Sequence, residues 1–494
     1  MQSTGRAALL PVLFFFAQAL IAWQSEDLAL QSQRAKEMMA AGKFEEAIPI
    51  YKRLTQAAPG NPGLLLNLAL AEHMAGHERE SIPHFEAVLK TQPTLTPALI
   101  SLGAARLALN QPEQAIVPLQ KAVTADAANT DARGMLAGAL LGAGHSDQAA
   151  EQYRKLTETA SDDPRAWYGL GKSYESIAVA AFDSLRKASP QSPFVAALVA
   201  DTRVQRRQYR GAFALYQEAL KQAPNLHGVH AALGEIYRKT GHSDWAELED
   251  AKERALPPAD CAAHPSECQF IAGHDLQALH LPHTSSPEAL YWRAKAANEL
   301  AMQAFFRLGQ LPPSVELHQL QAEIARNQNQ HLESVKEWRA ALALEPGNPR
   351  LQQELAVSLF LAKDFKSALE AAANPQSPEL NFVVGDSWLR LEQPEKAVPY
   401  LEAALASDPK LREADASLGL ALSRLGKFTE AVRHLERSLE LDEDGSLHYQ
   451  LARAYQAAGL SEKARATMAQ YEQIIKSNQH PKETAERDEP VAPP

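Results

Sequence analysis

Thirty-four residues is the interval at which this sequence repeats itself. Ala47, Ser81, Ala115 and Ala149 stand 34 apart, as do Tyr51, Phe85, Leu119 and Tyr153. Leu68, Leu102, Leu136 and Leu170 follow the same interval, each with Ala or Gly immediately after it (Ala69, Gly103, Ala137, Gly171). Each repeat holds two stretches of apolar residues at helical spacing, separated by a turn such as AGKF (41–44), AGHE (75–78), LGKF (425–428) or AAGL (457–460). The Gly suits the left-handed conformation that ends a first helix. Pro59 and Pro93 share one place in the frame, as do Pro224 and Pro258, and each stops a second helix before the next pair begins. One helix pair cannot bury its apolar face alone, so the pairs must stack. Composition agrees: 45% of the 494 residues are hydrophobic but only 7% aromatic, with Ala and Leu prominent, a palette of packed helices.

These positions resemble the tetratricopeptide repeat family, with Leu-Gly/Ala, flanking aromatic and small residues and a closing Pro. AWYGLGKSY (166–174), HAALGEIYRKTGHSDWA (230–246) and ADASLGLALSRLGKFTEAVRHLERSLELD (414–442) match best. The resemblance implies an all-α fold, an α-solenoid (superhelix) of about thirteen tetratricopeptide-like helix pairs interrupted by one central insert. Small residues at the place of Gly103, Gly171, Gly234 and Gly419, and at that of Ala47, Ala115, Ala212, Ala246, Ala397 and Ala431, allow close helix approach. Tyr51, Phe85, Tyr153, Tyr216, Trp338 and Leu401 fill the space between neighbours. The repeats beginning at Pro164 and Pro287 are short, lack the Gly turn and match each other at an offset of 123 (Tyr168 with Tyr291, Lys172 with Lys295, Phe182 with Phe305). Each therefore reads as one nearly continuous helix of roughly 22–26 residues.

The ends and the middle leave the frame. Residues 1–22 read as a signal peptide: Arg6, an apolar run from Ala7 to Phe16, then small residues that suit cleavage after Ala19 or Ala22. Retention as a membrane anchor is the alternative, although the run is short of the ~20 residues a spanning helix needs. An N-terminal array at 23–260 precedes a Cys/His-containing insert at 261–286, a C-terminal array at 287–478 and a tail at 479–494, Pro-rich, charged and expected to be disordered. The expected location is exported, periplasmic or secreted. Both cysteines, Cys261 and Cys268, lie in the insert with six residues between them. In an exported chain they read first as a local disulfide. The alternatives are a reduced, inert pair, or a metal site using Cys261, His264, Cys268 and His274, with His280 and His283 in reserve.

Two cysteines exclude a multi-cysteine zinc array or an iron–sulfur protein, and a net charge of −11 argues against a nucleic-acid or polybasic membrane binder. No enzyme motif survives inspection: His77-Glu78 lacks a second His, and Gly241 and Gly426 are turn glycines. No cofactor is expected, and no membrane insertion after signal removal. The resemblance places the first helix of each pair on the concave face. There the early repeats show Leu66, Leu70, Ile100, Ala104, Leu107, Gly134, Gly138 and Leu141, small or apolar. The later ones supply candidate ligand-binding residues: Tyr168, Lys172, Glu175, Tyr291, Lys295, Asn298, Gln319, Asn327, Arg390, Arg424 and Arg453. Such side chains suit an extended peptide and its carboxylates. The resemblance implies a non-catalytic scaffold or adaptor binding a protein or peptide in its groove. A binder of cell-wall or extracellular polysaccharide is the alternative, and a metal-dependent activity at the insert a remote one. A carboxylate clamp is incomplete (Lys36 and Asn67 only), and the sixth frame place holds no ladder of asparagines.

Overall fold

A computed structural model describes residues 28–281, 286–372 and 375–485, and no strand occurs among them. Residues 1–22, read as a signal peptide, therefore lie outside the described residues. Helices follow one another in pairs: Pro62–Met74 with Glu78–Thr91, Thr96–Ala108 with Pro112–Ala125, Thr130–Gly142 with Ser146–Thr159, and so on along the chain to Ser446–Ala457 with Ser461–Ala485. The last helix continues past Gln479, and residues 486–494 lie outside the described ones.

Local rules set the helix ends. Pro stands at the start of many first helices, where its missing N–H costs nothing. Asn61, Asn129, Ser192, Ser314, Asn348 and Ser377 cap such starts through their side chains. The expected turn glycine appears where a positive φ is required, as at Gly76 (φ 81°), and the residue after it closes the turn: the His77 N–H donates to the Glu72 carbonyl at 2.8 Å.

The core is built where sequence expectation put it. Ala47, Ala115, Ala212, Ala397 and Ala431 are fully buried, as are Phe85 and Leu401, with Tyr51, Tyr216 and Trp338 at 2% exposure or less. Gly103, Gly171 and Gly419 of the other small place are seats for large side chains, whereas Gly234 lies against the Asp250 carboxylate. A methyl group on Gly103 would stand 2.4 Å from Leu119 Cγ, and one on Gly419 2.7 Å from Leu435 Cγ.

The two short repeats behave as expected in length: they form the helices Pro164–Ala188, of 25 residues, and Pro287–Leu308, of 22. Their packing was not legible in the repeat frame. The chain divides into two compact units, one of residues 1–180 and 297–307, the other of 181–296 and 308–494. These units divide the chain differently from the expected arrays at 23–260 and 287–478, because each long helix contributes to both. In the first unit Phe305 lies on Gly171, where a methyl group would come within 2.3 Å of its ring, and Arg307 lies over the Trp167 ring at 5.8 Å. In the second, Ala181 and Leu185 share a core with Tyr291, Trp292 and Ala294. Neither long helix has a second helix of its own, and segments distant in sequence take that place.

The central insert is ordered as a shortened pair, Pro265–Ile271 and Asp275–His280, turned at Gly273 (φ 72°). The turn Ala272-Gly273-His274 repeats Ala75-Gly76-His77 and Ala143-Gly144-His145, down to a His274 N–H that donates to the Gln269 carbonyl at 2.8 Å. The insert is thus a truncated member of the array, with Ala278 and Leu279 buried.

Gly103→Ala tests the close approach. At an open helix position this change gains about 0.5–1 kcal/mol. Here overpacking against Leu119 makes it a loss of about 1–3 kcal/mol, read as a lower urea midpoint by circular dichroism.

Candidate functional site

The first-helix residues singled out by the frame fall into three groups. In the first unit, Leu66, Leu70, Ile100, Ala104, Leu107 and Leu141 are half-buried, so this face is apolar. Tyr168 is half-buried beside Phe305, with ring centroids 6.5 Å apart. Lys172 is paired with Glu175 at 2.7 Å, and Asn298 is half-buried on the second long helix.

A second group belongs to the core of the second unit. Tyr291 is 1% exposed and packs on Phe194, with centroids 5.2 Å apart. Burial pushes its phenol well above the usual tyrosine range. Gln319 is 8% exposed on the helix Val315–Asn327. Both residues are thus core members rather than surface side chains, each next to a buried apolar residue, Trp292 and Leu320. Lys295 donates to Asp201 at 2.9 Å, and the Tyr216 phenol donates to the other oxygen of that carboxylate at 2.5 Å. Burial, then the Asp201 charge, pushes the Tyr216 phenol upward. Lys295 is thereby held as an internal counter-ion.

The third group remains on the surface of the second unit. Asn327 is exposed at the end of its helix. Arg390 is paired with Asp386 at 3.0 Å and keeps 57% of its side chain exposed. Arg424 bonds the Leu389 carbonyl at 3.0 Å and Glu392 at 3.1 Å. Arg424 and Arg453, from consecutive first helices (Arg412–Arg424 and Ser446–Ala457), line one pocket of about 350 Å³ with Ser423, Gln450, Leu420, Phe428 and Leu447. The Ser423 hydroxyl is buried there without a hydrogen-bond partner among the described residues. Two guanidinium groups thus stand against an apolar wall, that of Arg424 already meeting the Glu392 carboxylate.

A larger pocket, about 490 Å³, lies against the insert, lined by Phe194, His227, Asp260, His264, Glu267, Glu288 and Trp292. Cys261 and Cys268 stand beside it at disulfide-bonding distance, with 5.5 Å between their Cα atoms. The sulfurs that a Cys/His metal site needs are thus turned toward each other. His274 bonds Gln269 at 3.1 Å and His280 the Leu276 carbonyl at 2.7 Å, away from His264, while His283 lies outside the described residues. Sequence reading singled out His264 but missed Glu267 and Glu288. The only signal was that Glu267 sits within the Cys261–Cys268 loop and Glu288 follows the Pro that starts a helix.

Comparison with known proteins agrees with this architecture. Models of the tetratricopeptide repeat match residues 38–105 and 106–172, and again 320–380, 382–423 and 417–479, together more than half of the chain. The chain belongs to the tetratricopeptide repeat family. It is 30% identical over 95 residues to mouse tetratricopeptide repeat protein 21B, a match over 19% of this chain and 7% of that protein. It is 23% identical over 253 residues to the Arabidopsis thaliana protein CTR9 homolog, covering 48% of this chain and 23% of that one. The matches thus span less than a quarter of either relative. Among solved structures it is similar to YrrB, described as a tetratricopeptide repeat protein with an unusual peptide-binding site, at 19% identity and a TM-score of 0.30 over 42% of this chain and 93% of that one.

Asp201→Asn separates framework from surface. Loss of the carboxylate charge weakens the acceptor that Lys295 and the Tyr216 phenol share and is expected to cost about 1–3 kcal/mol in thermal or urea unfolding.

Proposed function

We propose that this tetratricopeptide repeat protein is an exported, non-catalytic scaffold that binds proteins or peptides on its first-helix face. The observation that carries the reading is the pocket shared by Arg424 and Arg453. It favours an acidic side chain or a free C-terminal carboxylate next to an apolar residue. The half-buried apolar face of Leu66, Leu70, Ile100 and Leu107 supports the same class of partner, since an amphipathic segment has a place to lay its apolar side. The wider set of candidates contracts accordingly. Arg390, Arg424, Arg453 and Asn327 are the residues offered to a ligand in the second unit, and Tyr168, Lys172, Glu175 and Asn298 in the first.

A peptide library with free C-termini, displayed to the purified protein, tests the proposal. The expected result is enrichment of acidic, apolar-flanked sequences and a loss of about tenfold or more in affinity for Arg424→Ala/Arg453→Ala. Binding that ignores both arginines, or retention on purified wall glycan with no peptide enriched, overturns it in favour of the polysaccharide reading. Export has its own measurement. Mass spectrometry of protein made in a secretion-competent host is expected to find a mature chain beginning at Leu20 or Trp23, and an uncleaved Met1 would sink that part.

A further inference from the structure

Histidine–carboxylate pairs recur among the described residues, and in four of them the carboxylate also meets a lysine or an arginine. His84 meets Glu72 at 2.7 Å, with Lys52 at 3.5 Å from the same carboxylate. His230 meets Glu249 at 2.5 Å, with Lys252 at 2.8 Å. His318 meets Glu337 at 2.7 Å, with Lys336 at 3.8 Å. His434 meets Asp415 at 2.9 Å, with Arg412 and Arg437 each at 3.3 Å. In each case a single buried carboxylate has both an imidazole and a permanent positive charge.

One cluster brings two such pairs together. His264 Nδ1 lies 2.7 and 2.8 Å from the two oxygens of Glu288, and His227 Nδ1 lies 2.9 Å from Glu267 Oε1. One ligand atom from each of His264, Glu267 and Glu288 falls within 4.8 Å of the others. Glu267 is 12% exposed and Glu288 28%. Among the described residues neither carboxylate is paired with a lysine or an arginine. Two carboxylates are therefore held together at the edge of the core with two imidazoles beside them, and a cation bound between the carboxylates would offset their mutual repulsion.

We infer that His264, Glu267 and Glu288 form a site for a divalent transition-metal ion of the zinc class. An imidazole nitrogen with two carboxylate oxygens suits zinc, whereas calcium asks for six to eight oxygens. His227 is the positioning residue: its hydrogen bond orients Glu267, as outer partners of metal-bound carboxylates do. Tetrahedral ligands stand about 3.4 Å apart, so His264 and Glu288 must separate by about 0.6–0.7 Å and Glu267 must close in by at most about 1.4 Å. The adjoining pocket leaves room for water to complete the coordination. The cysteines hold the site rather than ligate the ion, because the loop they close carries both His264 and Glu267. Glu288 stands in the first turn of the helix Pro287–Leu308. The ion thereby staples the insert to that helix.

The test is calorimetric titration with zinc(II) alone on tag-free, metal-stripped full chain whose thiols have been shown to be oxidised. The expected result is one zinc per chain at micromolar or tighter affinity, with a raised melting temperature. Glu288→Gln, nearly isosteric, is expected to weaken binding by about 100-fold or more, and His227→Ala by about 10–100-fold. His274→Ala, in the same insert, is expected to change nothing. Absence of stoichiometric zinc binding overturns the site. So does binding that survives Glu288→Gln, or that needs the reduced thiols and is lost only in Cys261→Ser. Circular dichroism of Glu288→Gln establishes that a loss of zinc is not a loss of fold.

Discussion

The close seating of a large side chain on a helix with no side chain to resist it is the interaction on which this structure depends. Leu119 on Gly103, Leu401 on Gly385 and Leu435 on Gly419 repeat it along the chain. Each seated leucine is fully buried, which contributes about 1.5–3 kcal/mol relative to exposure, and each seat brings two helices close enough for the next pair to cover them. Fully buried alanines such as Ala115, Ala397 and Ala431 keep the same gap narrow on the second helix. Where the seat is occupied by a residue from elsewhere, the architecture changes. Gly171 receives Phe305 instead of a residue from a following second helix.

That exchange accounts for the middle of the chain. A repeat without its Gly turn continues as one helix, which buries one apolar stripe locally and leaves another open. Two such helices, Pro164–Ala188 and Pro287–Leu308, each supply what the other lacks. The insert between them is a truncated pair whose stability as a short element rests on more than helix propensity. Seven- and six-residue helices are marginal alone. Here the Cys261–Cys268 pair, the stacking of Phe270 near Trp292 at 5.2 Å and the bond from Arg293 to the Leu279 carbonyl at 2.8 Å hold them.

Charge in this fold is placed rather than spread. A net charge of −11 coexists with arginines concentrated along the late first helices, where Arg424 and Arg453 share a pocket. Other predicted surface residues are consumed inside. Lys295 neutralises Asp201, and Tyr291 and Gln319 fill core positions. A polar residue at a nominally exposed place in the repeat frame is therefore not by itself a sign of surface, as Gln319 on an ordinary helix pair shows.

The sequence by itself determined the helix pairs, their turns, the lengths of the two long helices and most of the core at the repeat's small and large places. All of these follow from spacings within a single repeat: a 34-residue period, a glycine at positive φ, a small residue opposite a large one. It also marked Cys261 and Cys268 as a local pair, since so few residues separate them. The tertiary structure alone decided that the two long helices serve each other, that Tyr291 and Gln319 lie inside, and that His227, His264, Glu267 and Glu288 meet beside one pocket. The reason is distance along the chain. A periodic pattern specifies contacts with the next repeat. Contacts between residues dozens to more than a hundred positions apart depend on which buried surfaces remain uncovered after the local pairs have formed.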